Sequence, residues 1–278
     1  MRVYGVDFTC APRRAKPITV ASATFRRRLE VHEVEKLESF AAFEAFLARA
    51  GPWIGGFDFP FSLPRELVRD LGWPAAWPDL VAHCTGMDRP AFRATLDRYR
   101  ASRPLGRKYA HRATDHPAGS SSPMKLVNPP VALMFHEGAR RLAASDVHLP
   151  GLLHRDSSKV ALEAYPGLLA RKQLGIRDSY KSDTRSEHTP ARKAVRRKIV
   201  QALKTARPLG ILVELEPQLE KEIVADGSGD RLDAVICAAQ AAWGWARRET
   251  NFGLPLDAEP GEGWIVTTAW EQVPACSP

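Results

Sequence analysis

The chain opens on an apolar run, Val3, Tyr4, Val6 and Phe8, that suits a buried strand and is interrupted by one carboxylate, Asp7. Lys16 to Thr24 and Arg26 to Val34 then alternate in strand fashion, with linkers short enough for an antiparallel meander. From Leu37 to Ala50 the spacing becomes helical, with Leu37, Phe40, Phe43, Phe46 and Leu47 on one face and Gly51-Pro52 as the stop. A second apolar run, Trp53 to Phe61, also carries one carboxylate near its end, Asp58. Pro60 closes that strand because it has no ladder donor. Residues 62 to about 157 hold helix-like pieces at Arg65 to Leu71, Pro90 to Arg100 and Val131 to Ala144, separated by Pro, Gly and Ser-rich joints. This is too long for a simple loop and predicts a mostly helical insertion within one domain. Lys159 to Pro166 returns to strand, with Glu163 near its end. Thr189-Pro190 starts a helix that Val195, Ile199 and Leu203 seat on the core. Gly227-Ser228-Gly229 leads into an Ala-rich helix ending near Arg247-Arg248, Gly263 to Ala269 reads as a last short strand, and Val273 to Pro278 as a loose tail. The pattern predicts an α/β domain, a mixed β-sheet flanked by helices.

The carboxylates change this from a fold into a candidate chemistry. Asp7 alone reads equally as a residue capping the turn Thr9-Cys10-Ala11-Pro12, but a carboxylate within a central strand is costly without a cation or hydrogen bonds. Asp58 stands in the same position at the exit of its own strand. Asp230 and Asp233 are three residues apart and share a face of the first helical turn, where one acid would suffice as a cap. If that helix packs across the sheet, Asp7, Asp58, Asp230 and Asp233 form a cluster that cannot stay fully ionised without divalent cations. Oxygen-only ligation points to Mg²⁺ or Mn²⁺, and a pair of such ions suits in-line phosphoryl displacement. Glu163 is either a further ligand or general base beside the metals, or the partner of a neighbouring Arg or Lys.

An Asp ending the first strand, an acid on a middle strand and an Asp-x-x-Asp opening the C-terminal helix resemble the ribonuclease H-like superfamily, particularly its Holliday-junction resolvase branch. More closely, Gly5-Val6-Asp7, Gly56-Phe57-Asp58-Phe59-Pro60, Glu163-Ala164-Tyr165-Pro166, Asp230-Arg231-Leu232-Asp233-Ala234 and Glu262-Gly263-Trp264-Ile265 resemble the family catalogued as domain of unknown function 429, a family of predicted RNase H-like nucleases. The resemblance runs in order from residue 5 to residue 265. It implies an RNase H-like mixed sheet, a metal site on these carboxylates and nuclease activity.

Composition agrees with a nucleic-acid partner. Lys and Arg outnumber Asp and Glu by 40 to 32, a net charge of +8, so polyanions are natural partners. Arg107, Lys108 and Arg112 in one basic segment, and Arg192, Lys193, Arg196 and Arg197 on the outer face of the helix after Thr189, are candidates for phosphate contact; each stretch also reads as a solvated face. Lys181 to Arg207 holds nine basic residues against Asp183 and Glu187. No run of about 18 apolar residues spans a membrane, Met1-Arg2 leads straight into a strand rather than a signal peptide, and a cytoplasmic place is expected. Cys10, Cys84, Cys237 and Cys276 lack C-x-x-C spacing, and His111, His116 and His136 lack ligand spacing. The leading expectation is a metal-dependent nuclease. An actin-like phosphotransferase also begins with an Asp-bearing strand, but a second glycine-rich phosphate loop and the P-loop pattern are absent. A non-catalytic nucleic-acid-binding module is the third reading.

Overall fold

Strands β1 (Arg2–Asp7), β2 (Ile18–Phe25) and β3 (Leu29–Leu37) form the expected antiparallel meander, followed by helix α1 (Phe40–Leu47) and strand β4 (Trp53–Asp58). In this computed structural model, which describes residues 1–256, 258–259 and 261–268, the sheet continues with β5 (Lys159–Glu163) and β6 (Val213–Leu215). The order is β5-β4-β1-β2-β3-β6, with β4 parallel to β1 and β5 parallel to β4. This is an RNase H-like mixed sheet flanked by helices.

Period-two alternation divides the core between the two faces. Tyr4, Val6 and Phe8 of the first strand join Phe43, Phe46, Trp53 and Phe57 on one face, in edge and stacked ring contacts. The insertion covers this face with α2 (Arg65–Asp70), α3 (Trp77–Gly86), α4 (Arg89–Ser102), the single turn α5 (Asp115–Ala118) and α6 (Val131–Ala144). Its Leu80, Phe92 and Phe135 lie in the same apolar cluster as Phe57, so the insertion shares the sheet's core instead of having its own. The expected helix at Val131 to Ala144 forms with those limits, whereas α3 is an addition.

Val3 and Ile54 face the other way, against α7 (Pro190–Lys204), α8 (Pro217–Ala225) and α9 (Asp230–Trp245). Helix α7 starts where Thr189 accepts a hydrogen bond from the Arg192 amide, and Val195, Ile199 and Leu203 seat it as expected. The segment around Gly263 to Ala269 departs from expectation. Ile265 makes one isolated bridge to Glu163, and turns at 266–268 end it, so no strand forms among the described residues there; Ala269 and the tail Val273 to Pro278 lie outside them.

Helix α9 crosses β1 and β4 at a separation that only glycine permits. A Cβ on Gly5 would lie under 3.0 Å from Ala234 O and Ala238 N, and one on Gly56 would crowd Cys237 O, all backbone atoms of the helix. Gly56→Ala should therefore lower stability by about 3 kcal/mol, the upper end for overpacking, because helix backbone cannot rotate aside as a side chain can. Gly86→Ala, at a position with nothing within 4 Å, is the control and should leave the melting temperature nearly unchanged.

Candidate metal centre

Asp7 and Asp58 are direct neighbours in the parallel register of β1 and β4, and each lies two residues beyond a glycine that contacts α9. The period of two puts both carboxylates on the face that α9 covers. Because Cys237 rests on Gly56, the residue one turn earlier, Asp233, comes to lie over the strand ends. Carboxylate oxygens of Asp7, Asp58 and Asp233 all fall within 4.8 Å of one another, with Asp7 and Asp233 buried and Asp58 half-buried. Burial pushes the Asp7 carboxyl well up, and Asp230 and Asp233 add repulsion. Burial likewise raises Asp58 to about 7, against the pull of Lys181 and with Asp233 and Glu163 adding to it, and it raises Asp233. The triad is thus a concentration of negative charge held away from water.

Its internal counter-charge is Lys181. The ammonium is seated on Asp233 Oδ2, although the side chain as a whole is 42% exposed. The Tyr180 hydroxyl donates to Asp233 Oδ1 at 2.6 Å. Burial works against the Lys181 charge, yet Asp233, Tyr180, Asp7 and Asp58 together hold its pKa well above the ordinary value. The loop bearing this pair is anchored from behind, where Arg196 donates to Tyr180 O at 2.6 Å and to Val224 O at 2.9 Å.

Asp230, an expected ligand, and Glu163, expected as a ligand, a general base or an ion-pair partner, lie outside the triad. Asp230, one turn before Ala234 and so above Gly5, is turned to Lys16, whose Nζ donates to its oxygens at 3.0 and 3.2 Å. Lys16 also bridges to Asp183. Glu163 is displaced by one residue of register: it pairs with Phe57 rather than with Asp58, and so faces the insertion. There its carboxylate accepts a fork from Arg112 at 2.6 and 2.7 Å and the Phe61 amide at 3.0 Å. Burial raises the Glu163 carboxyl, and these donors pull it back. Arg112 also holds Asp115 at 3.0 Å, and that residue is fully buried. Glu262 closes the group by accepting from the Arg65 and Ala113 amides. This network ties the insertion, β5 and the C-terminal segment together, and Glu163 is its ion-pair partner rather than a member of the triad.

The basic candidates divide. Arg107, Lys108, Lys193 and Arg197 are exposed, and Arg192 is engaged with Glu187. Arg112 and Arg196 are not solvent-facing: both are 2% exposed, Arg112 within the carboxylate network and Arg196 on backbone carbonyls. Each is corrected from a phosphate-binding candidate to a structural cation, because a buried guanidinium already bonded to protein acceptors faces little solvent from which a phosphate could reach it. Lys16, Tyr180 and Lys181 are site residues that residue spacing did not reveal. The one signal was the placement of Tyr180-Lys181 in the basic run leading to α7. A cavity of about 390 Å³ opens beside the triad between Asp58 and Lys181.

A family model described as a protein of unknown function (DUF429) matches residues 5–255. No curated protein and no solved structure matches the chain significantly.

Proposed function

The chain belongs to the DUF429 family, and from that premise, with Asp7, Asp58 and Asp233 brought together at the sheet's exit, we propose that it is a divalent-metal-dependent phosphodiesterase acting on nucleic acid. The convergence of the three carboxylates carries this reading. Their donor set is oxygen-only, which fits Mg²⁺ or Mn²⁺, and an ammonium already sits at the Asp233 edge, as a site built for positive charge requires. Asp7, Asp58 and Asp233 would hold one ion; a second would need Asp230, now committed to Lys16. The ion would supply Lewis-acid activation of water and charge neutralisation at phosphorus.

The chain's own residues do the rest. Helix α9 fixes Asp233 against the strand ends, while Arg196 and Tyr180 position the loop that carries Lys181. When Lys181 leaves Asp233, its ammonium is placed to pair with a phosphate oxygen beside Asp58. Exposed Arg107, Lys108, Lys193 and Arg197 supply sequence-independent attraction to the backbone, so binding should weaken steeply with salt. The reading goes with a cytoplasmic place, and no described helix is long and apolar enough to cross a membrane.

The test is cleavage of single-stranded, duplex, hybrid and branched nucleic acids with Mn²⁺, comparing the native chain with Asp7→Asn and Asp233→Asn. Metal-dependent cutting lost in both variants is the expected result. Intact substrates throughout would end the hydrolytic reading.

The same carboxyls predict a pH dependence. Asp58 is raised from 3.8 to about 7 in the folded chain, so its contribution to stability is complete below the unfolded value and is lost as pH rises through about 7. Asp7 and Asp233 shift in the same direction, and Lys181, with a raised pKa, stays charged across this window. Without metal the stability should fall between about pH 4 and about pH 8, by roughly 4 kcal/mol from Asp58 alone, and the melting temperature should fall with it. Mn²⁺ should reverse this, with a larger rise in melting temperature at about pH 8 than at about pH 5.5, because the ligands must be ionised to bind. A metal-induced rise independent of pH would count against the triad as the binding site.

A further inference from the structure

The cavity beside the triad has a composition that the carboxylates do not explain. Lys125, Arg171 and Arg177 line it together with Asp58, Lys181 and the ring of Tyr165. Lys125 is half-buried, Arg171 and Arg177 are exposed, and among the described residues none of the three has an ion-pair partner. Of the carboxylates on the wall, Glu163 is committed to Arg112 and Asp58 belongs to the triad, which leaves Asp178 at the exposed rim. Lys125, partly withdrawn from water without a counter-ion, is unfavourable unless an anion enters, and the exposed Arg171 and Arg177 add positive charge that would attract one. The remaining wall is mixed: Met134 of α6 and Ile176 give it apolar patches, Ser120, Ser121, Asn128 and Ser179 polar ones, and Tyr165 adds an aromatic surface. Cations, a ring and apolar patches in one cavity are what a phosphate and a base need together.

Size decides which form of nucleic acid fits. About 390 Å³ lies at the low end of small-ligand sites, roughly 300–1,000 Å³, and is enough for one nucleotide but not for a base pair. We propose that this cavity holds one unpaired nucleotide next to the triad, so that the substrate class is single-stranded nucleic acid, entered at an end or at an unpaired base. The inference rests on the phosphodiesterase reading and narrows it. The insertion then has a role: its residues 120–134 form the wall that excludes a duplex.

The test is fluorescence anisotropy in EDTA at low salt, with labelled strands of about 12 nucleotides, oligo(dT) and oligo(U), each alone and annealed to its complement. Single strands should bind at least about tenfold more tightly than duplexes, and thymidine or uridine monophosphate should compete. Lys125→Ala and Arg171→Ala should each weaken single-strand binding about five- to tenfold, with unchanged circular dichroism and melting temperature. A preference between oligo(dT) and oligo(U) reads the sugar together with the thymine methyl group, and either preference supports the proposal. Equal affinity for duplex, no binding to any strand, or no effect of either variant overturns it. The two readings fail separately. Pocket-dependent binding without Mn²⁺-dependent cutting would leave the pocket and remove the hydrolase. Cutting of duplex that persists in both pocket variants would leave the hydrolase and remove the pocket.

Discussion

Asp7→Asn should abolish Mn²⁺-dependent cleavage and leave the metal-free protein at least as stable as the native chain. The two halves of this result have one cause. Asp7 is buried, and its carboxyl is raised first by loss of water and then by Asp230 and Asp233, so the ionised form is unfavourable in the folded state. Asparagine is nearly isosteric and neutral, which removes that repulsion. It also removes a charged oxygen donor from the triad, and the neighbouring Asp230 is committed to Lys16. Loss of an outer partner of a metal ligand costs about 10–100-fold, so loss of the ligand itself should exceed about 100-fold in rate. Thermal melting in EDTA and single-turnover cleavage in Mn²⁺ measure the two halves. A variant that is destabilised and still cuts would show that Asp7 is the turn-capping residue its sequence position also allows.

The second large effect lies away from the triad. Arg112→Met should destabilise the chain by about 3–5 kcal/mol, the range for removing one member of a buried ion pair. Asp115 and Glu163, both buried, would lose the guanidinium that now contacts them at 3.0 and 2.6 Å. Two unpaired carboxylates in a dry interior favour protonation. The deficit should therefore shrink as pH falls, since protonated carboxyls no longer require a partner. Melting temperature across pH, native against variant, measures this, with an expected loss of about 10 °C near neutrality. An unchanged melting temperature would mean that the network contributes nothing to holding the insertion on the sheet.

Arg112 also shows where reading residues in order reaches its limit. The basic segment before Thr114 was visible as charge, but charge alone does not say which guanidinium is folded inward. Arg196 is the same case on α7, where Val195 and Ile199 correctly mark the buried stripe and Arg196, adjacent to it, is drawn in by the carbonyls of Tyr180 and Val224. Those acceptors come from elements 16 and 28 residues away, so spacing along α7 holds no trace of them. The edge strand β6 escaped notice for a simpler reason, since three residues of strand carry no readable period.

The sequence by itself determined what is local: the antiparallel meander, the glycines two residues before Asp7 and Asp58, the helix opened by Asp230 and Asp233, and the length of the insertion. Periodicity, turn chemistry and capping act over a few residues, and a chain read in order displays them. Only the tertiary structure decided which carboxylates meet. Asp7 and Asp58 meet because β1 and β4 pair in parallel with those residues opposite, and Asp233 joins them because Gly5 and Gly56 let α9 descend onto the strands. Glu163 looked the same in sequence, but its strand pairs one residue out of step with Asp58, and a side-chain period of two turns that single residue into the opposite face of the sheet.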